Sequence, residues 1–338
     1  MVKVAIIGTG RFAKHHISVW RLIREIELVG VHGAHDQRLN SFAAETNLKP
    51  YDRLDSLIQN ADLVDIVSTH DTHFNYAARA LQAGRAVLIE KPLTTTVRDA
   101  ERLVSLAKQH GSIGSVVSQM RFSPAFESIQ QLISANAPQN FSCIHAFSIS
   151  PRDDAYFTTS NWKTNGQKAG GGVLINQGVH FIDLLIWCLG DPVEIDGSWG
   201  GFTDNSQGIE RRFWGSFLFE NGITAQFLFS TEQLAGHYQK IILLGKHESY
   251  EVDQFGMSPL NSVSFFQKLR KHFRARFLQN ANTNALLQFQ FRDVISALSH
   301  KTQPAITLED GLKAVRLVHK LYKVASRKNP LPNIALPA

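Results

Sequence analysis

Lys91 closes the run Ala86-Val87-Leu88-Ile89-Glu90-Lys91-Pro92, in which four apolar residues end in a charged pair and a proline. Further along, His180 lies in Gly170-Gly171-Gly172-Val173-Leu174-Ile175-Asn176-Gln177-Gly178-Val179-His180-Phe181-Ile182-Asp183, and the chain opens with a Gly8-Thr9-Gly10-Arg11-Phe12-Ala13 turn. A lysine ammonium stabilises a developing alkoxide or polarises a carbonyl. A histidine titrates in the range needed to take up or return the proton of a hydroxyl. With a loop suited to phosphate, the pair points to hydride transfer at a hydroxyl or carbonyl carbon. Each feature alone is weak, and the ordered trio is specific.

The glycine turn has the context its chemistry requires, because Gly8-x-Gly10-x-x-Ala13 follows an apolar strand and opens a helix. Gly8 permits the tight turn, Gly10 lets the backbone approach a pyrophosphate, and Ala13 keeps the helix close to the strand. The helix N-terminus, at Arg11 and Phe12, offers N–H groups and a positive dipole end to phosphate. Gly33 stands where a carboxylate usually grips the ribose of NAD, and Asp36 and Arg38 follow it. NAD and NADP both stay open, with the balance towards NAD because no basic residue sits directly beside Gly33.

These groups need a scaffold, and the apolar pattern supplies one. Strands are predicted at Val2–Ile7, Leu28–His32, Leu63–Ser68, Ala86–Ile89 and Ser115–Ser118, with amphipathic helices between them. Continuously apolar strands alternating with helices predict a parallel sheet covered on both faces, with ligand at the strand C-termini. After residue 121 the texture changes to successive strands with few helices, and Asn221-Gly222 marks a hairpin turn. The fold class is therefore α/β, with a doubly wound Rossmann domain over 1–121. An α+β domain over 122–328 carries an open, largely antiparallel sheet, and 329–338 forms an extended tail.

Composition narrows the function classes. The chain is 43% apolar and 19% charged, as expected of a globular protein. No run of about 18 apolar residues predicts a membrane span. The N-terminus reads as a strand rather than a signal peptide, and Cys143 and Cys188 have no ligand or disulfide spacing, so a cytoplasmic location is expected. The net charge of +6 comes with no nucleic-acid motif, so no nucleic-acid partner is expected. The fourteen histidines include His15-His16 but form no convincing ligand cluster, so no metal is expected.

At this level of detail the chain resembles the Gfo/Idh/MocA oxidoreductases. The likeness rests on the glycine loop and Asp65-Ile66-Val67-Ser68-Thr69-His70-Asp71-Thr72-His73. It extends through Glu90-Lys91-Pro92, Arg121-Phe122-Ser123-Pro124, the triple-glycine segment and Pro304-x-x-Thr307-x-Glu309-Asp310-Gly311. It implies that Lys91 and His180 face the reacting carbon, that Glu90 lies near the nicotinamide edge, and that Thr69 and His73 contact the cofactor. It also implies a cis Lys91–Pro92 bond. Many relatives carry aspartate where Asn176 stands, and an amide there orients substrate or His180 rather than taking a proton.

Pro151-Arg152 and Tyr156, with Trp162-Lys163, look like the branch acting on nucleotide-linked sugars. Arg152 and Lys163 suit phosphate or carboxylate, and Tyr156 suits a ring. Arg121 and Asn176 complete the substrate-binding candidates. The reading is an NAD(P)-dependent oxidoreductase of a sugar-type substrate, assembling as a homodimer or tetramer. The competing class is a non-catalytic dinucleotide or metabolite sensor on the same scaffold. Finally, Phe265, Leu269, Phe273 and Phe277 form one stripe among five Lys and Arg within 265–277. Packing on the body or a neighbouring subunit is favoured for it over weak contact with an anionic membrane surface.

Overall fold

Val4–Ile7 are wholly buried, and so are Leu63–Ile66 and Val87–Ile89, as strands covered on both faces must be. In the computed structural model these segments lie in a parallel sheet built from β1 (Val2–Ile7), β2 (Ile26–His32), β3 (Leu63–Ile66), β4 (Ala86–Ile89) and β5 (Gly114–Val116). The structure describes all residues except 35, 159–161, 203–207, 233–235, 254–255, 261–283 and 331–338. The basic 265–277 stripe and most of the expected tail therefore lie outside the described residues.

Strand order is β2-β1-β3-β4-β5. The chain leaves β1 in one direction and later resumes on its other side at β3, so the β1 carboxyl end, where Gly8 sits, is the topological switch point at which such sheets bind ligands. The helices obey local chemistry. Val97–His110 starts where Thr96 Oγ1 accepts from the Asp99 N–H at 3.1 Å and stops at Gly111, which has φ 60°.

The chain divides into two units. The first is Met1–Ser118 with Leu287–Val315, and the second is Gln119–Leu286 with Arg316–Pro337. The span 287–315, which lies inside the 122–328 stretch that the sequence pattern assigns to the α+β domain, clusters with the first unit. The reason is apolar. Phe291 stacks on Trp20 with ring centroids 4.2 Å apart, and Leu287 and Val294 fill the same core.

The second unit holds a sheet of seven strands among the described residues: β6 (Phe141–Ile149), β7 (Pro192–Phe202), β8 (Glu210–Phe219), β9 (Thr224–Ser230), β10 (Tyr238–Gly245), β11 (Tyr250–Asp253) and β12 (Gly256–Pro259). Its order is β12-β11-β10-β6-β9-β8-β7. Every pair is antiparallel except β6 with β9. Gly222 has φ 78° in the turn between β8 and β9, as the Asn-Gly pair predicts. Phe213, Phe217, Phe219, Phe227 and Phe229 alternate inward from β8 and β9 to form this unit's core. The helical stretch Gly166–Leu189 is long and apolar enough by composition to cross a membrane, but 67% of that window is buried within the protein.

Candidate active site

The first element is the turn after β1. Gly8 has φ 132°, and a Cβ there would stand 2.3 Å from the Val67 carbonyl oxygen, so only glycine fits. A Cβ on Gly10 would meet nothing within 4 Å, which leaves the approach to the backbone open. Gly10 is also the N-cap of the helix Arg11–Trp20 and supplies no side-chain cap to its first N–H groups. Ala13 is buried under the strand, Arg11 is exposed and Phe12 is 55% exposed. An open glycine, uncapped N–H groups and a helix dipole fit a dinucleotide pyrophosphate. The missing ribose carboxylate has a steric counterpart, because a Cβ on Gly33 would lie 2.6 Å from Thr9 Cγ2. Arg38 Nε donates to the Thr9 carbonyl at 3.3 Å, so a cation does stand beside this loop.

The second element is the end of β4. The Lys91–Pro92 peptide is cis, as the resemblance implied. The Lys91 N–H donates to Glu90 Oε2 at 3.0 Å, and Glu90 Oε1 lies 3.0 Å from His16 Nε2. His16 Nδ1 faces Asp65 Oδ2 at 2.9 Å, and Trp20 Nε1 donates to the same oxygen at 2.7 Å. Burial alone would push the His16 imidazole down, but Asp65 and then Glu90 raise it to about 10. His16 is therefore an imidazolium at neutral pH.

His73 is a further residue for which contact with cofactor is expected. It is wholly buried, and its Nδ1 donates to the Pro92 carbonyl at 2.9 Å, so it braces the Lys91–Pro92 segment from below. Burial holds its imidazole below the usual range, which keeps it neutral. Thr69 is half-buried and gives its hydroxyl proton to Asp71 Oδ1 at 2.6 Å.

In the second unit the triple glycine is gripped by Glu210, at the start of β8. Its carboxylate accepts from the Gly172 N–H at 2.7 Å, the Leu174 N–H at 2.9 Å and the Tyr322 hydroxyl at 2.8 Å. Burial pushes the Glu210 carboxyl up to about 7, and these donors hold it from rising further. The chain then makes a π-helical turn over Leu174–Gly178, which carries Asn176, before the α-helix Val179–Leu189 that carries His180. Both side chains are half-buried. Such π turns are rare and recur at functional sites.

A small pocket in this unit gathers Tyr156, Trp162, Lys163, Asn176, Gln177 and Glu210 among its lining. Lys163 Nζ stands 4.0 Å from the Tyr156 ring centroid, and the Arg152 guanidinium lies 5.0 Å from the same ring. Four substrate candidates (Tyr156, Trp162, Lys163 and Asn176) are thus brought together, with Arg152 at their edge. Arg121 stands otherwise. It is 7% exposed, Nε donates to Asp183 Oδ2 at 2.8 Å, and the guanidinium lies 5.7 Å from the Trp187 ring. Its fork is taken by a buried carboxylate, so a substrate anion would have to displace Asp183.

Two clusters escaped the sequence pattern: His16–Asp65–Glu90 and Glu210–Tyr322. The first had a signal. Asp65 interrupts the apolar run of β3, and a carboxylate in a strand buried on both faces must have a partner. Nothing local marks the second.

A doubly wound parallel sheet with an open glycine turn at its switch point defines a dinucleotide-binding α/β protein. This chain belongs to the Gfo/Idh/MocA family: the oxidoreductase profile with NAD-binding Rossmann fold matches residues 2–118, and the C-terminal domain profile matches 126–251. It is similar to 1,5-anhydro-D-fructose reductase of Ensifer adhaerens, 26% identical over 313 residues and 89% of each chain. It is also similar to UDP-N-acetylglucosamine 3-dehydrogenase of Acidithiobacillus ferrooxidans, 30% identical over 130 residues, 38% of this chain and 41% of that protein. Among solved structures, the WlbA dehydrogenase of Bordetella pertussis in complex with NADH and UDP-GlcNAcA has the same fold. The TM-score is 0.82 at 20% identity, covering 98% of this chain and 99% of that one.

Proposed function

We propose that this oxidoreductase moves a hydride between NAD and a hydroxyl or carbonyl carbon of a sugar, with nucleotide-linked sugars as the preferred class. The observation that supports the substrate class is the second-unit pocket. Tyr156 and Trp162 offer ring faces, Lys163 and Arg152 offer positive charge, and Asn176 and Gln177 offer amides. Sugars and their phosphates need that mixture. The names of two relatives, which act on UDP-N-acetylglucosamine and 1,5-anhydro-D-fructose, support the same class.

In this reading the bound dinucleotide supplies the hydride acceptor or donor, held by Gly8, Gly10 and the first turn at Arg11, Phe12 and Ala13. Thr69 and Glu90 flank the cofactor. His180 takes the substrate hydroxyl proton, Lys91 stabilises the negative charge that develops on that oxygen, and Asn176 orients the substrate. NAD is favoured because no basic residue directly adjoins Gly33 in the sequence. Arg38 is the group that a 2′-phosphate would recruit, so titrating both dinucleotides into the wild type and Arg38→Ala decides between them.

The chain is further proposed to assemble through the outer face of the second-unit sheet. Trp214 is 40% and Tyr238 is 38% exposed there, and Phe147, Leu228 and Ile242 are half-buried. A monomer by light scattering would remove that part.

The decisive experiment incubates the protein with NAD or NADP and UDP-N-acetylglucosamine, glucose 6-phosphate or myo-inositol, and NADH or NADPH with 1,5-anhydro-D-fructose. Change in reduced-nicotinamide absorbance with one of them is expected. Silence with all of them would set the sugar-dehydrogenase reading aside. A His180→Ala or Lys91→Ala protein that binds dinucleotide normally and keeps full turnover would refute the roles given to those residues.

A further inference from the structure

We infer that His16 is a positioning residue: its ring, clamped between Asp65 and Glu90, fixes the Glu90 carboxylate and through it the peptide of Lys91. The inference rests on the proposed role of Lys91 and names the device that holds it in place.

Both ring nitrogens of His16 meet carboxylate oxygens, Nδ1 at 2.9 and 3.2 Å from Asp65 and Nε2 at 3.0 Å from Glu90. Ionised carboxylates accept and do not donate, so both nitrogens must carry hydrogen. The Glu90 carboxylate is then held at two points, one oxygen on His16 and the other on the Lys91 N–H. Rotating it would forfeit both contacts. Trp20 Nε1 secures Asp65, and the Phe291 ring packs edge-on against His16 at 5.1 Å. The groups facing His16 are thus Asp65 from β3, Glu90 from β4, Trp20 and the neighbouring His15 from its own helix, and Phe291 from the 284–300 helix. On the far side of the cis bond, His73 holds the Pro92 carbonyl. The segment carrying Lys91 is therefore pinned before and after the bond, by two histidines from different helices.

Stability alone does not account for the cluster. His16 and Asp65 are wholly buried, and three charged groups withdrawn from water usually stabilise a core less than apolar residues of the same volume. An apolar trio, however, could not hold Glu90 or present an acceptor to Lys91. Orientation is what the charged trio adds, and a small misplacement of a reacting group can cost about 100-fold in rate.

The test is residue-resolved amide exchange on the full chain, comparing wild type, His16→Gln, Glu90→Ala and the double variant. Loss of one charge-assisted hydrogen bond predicts that Lys91 amide exchange rises about tenfold in His16→Gln, with the Val87 and Leu88 amides of β4 unmoved. The double variant should exchange no faster at Lys91 than Glu90→Ala alone, because His16 acts through Glu90. An unchanged Lys91 amide overturns the inference, and so does a matching rise at Val87 and Leu88, since that would mean general loosening of the strand. Turnover of Lys91→Ala is measured separately. If that variant remains fully active, the catalytic assignment of Lys91 fails while the exchange result stands.

Discussion

Tyr322 donates its phenolic hydrogen to Glu210 Oε1 at 2.8 Å, and both side chains are 1% exposed. The hydroxyl also accepts from the Gly172 N–H at 3.2 Å. A helix near the C-terminus and the first residue of β8 thereby grip the backbone just before the turn that carries Asn176. The close fit is steric as well, since a Cβ on Gly172 would lie 2.1 Å from the Glu210 carbonyl oxygen.

Removing that hydroxyl is the first prediction. Tyr322→Phe keeps the ring but strips Glu210 of a donor, while the Gly172 N–H keeps its shorter bond to Glu210 Oε2. Unfolding in urea should show a loss of about 1–3 kcal/mol. A variant as stable as the wild type would show that the Tyr322 hydroxyl adds nothing to the hold of Glu210 and packing on the glycine segment.

Two buried groups should make stability fall as pH rises, in adjoining windows that overlap near neutrality. Glu210 is raised from 4.5 to about 7, so the folded chain keeps a proton there that the unfolded chain has released. Its contribution is complete below 4.5 and lost as pH climbs through 7. His16 is raised from 6.5 to about 10, and its contribution is complete below 6.5 and lost on the way through 10. Each is on the order of a few kcal/mol. Denaturation curves against pH should lose the lower slope in Glu210→Gln and the upper slope in His16→Gln. Slopes that survive those substitutions would assign them to other groups.

Two neighbouring glycines should fail in different ways. Gly8→Ala drives a methyl into the Val67 carbonyl, so the variant should be poorly folded. Gly10→Ala meets open space, so its melting temperature should stay within about 2 °C of wild type while NADH affinity drops. Thermal melts paired with nicotinamide fluorescence titration check both. Undiminished NADH binding by Gly10→Ala would move the pyrophosphate away from this turn.

Arg121 and Asp183 form a buried pair, so removing one partner strands the other charge. Arg121→Ala or Asp183→Ala should cost about 3–5 kcal/mol, and replacing both by Met and Leu should recover much of it. Chemical denaturation of the single and double variants measures this. If Arg121→Ala unfolds like wild type but loses affinity for UDP-N-acetylglucosamine, the residue serves substrate rather than the fold.

Much of this protein is legible in its sequence. The alternation of apolar strands and amphipathic helices, the glycine turn, the Asn221-Gly222 hairpin and the motifs around Lys91 and His180 are all local. Period, turn chemistry and short motifs are set by residues a few positions apart, and those the chain states by itself. The partners of buried polar groups are a different matter. That His16 reaches Asp65 and Glu90, that Tyr322 reaches Glu210, that Asp183 takes the guanidinium of Arg121 and that Phe291 returns to Trp20 all depend on which elements become neighbours. A buried charge must find an opposite partner, but the requirement does not say which one. Only the packing of strands and helices makes that choice, and it sets His73 against the Pro92 carbonyl and Arg121 against Asp183.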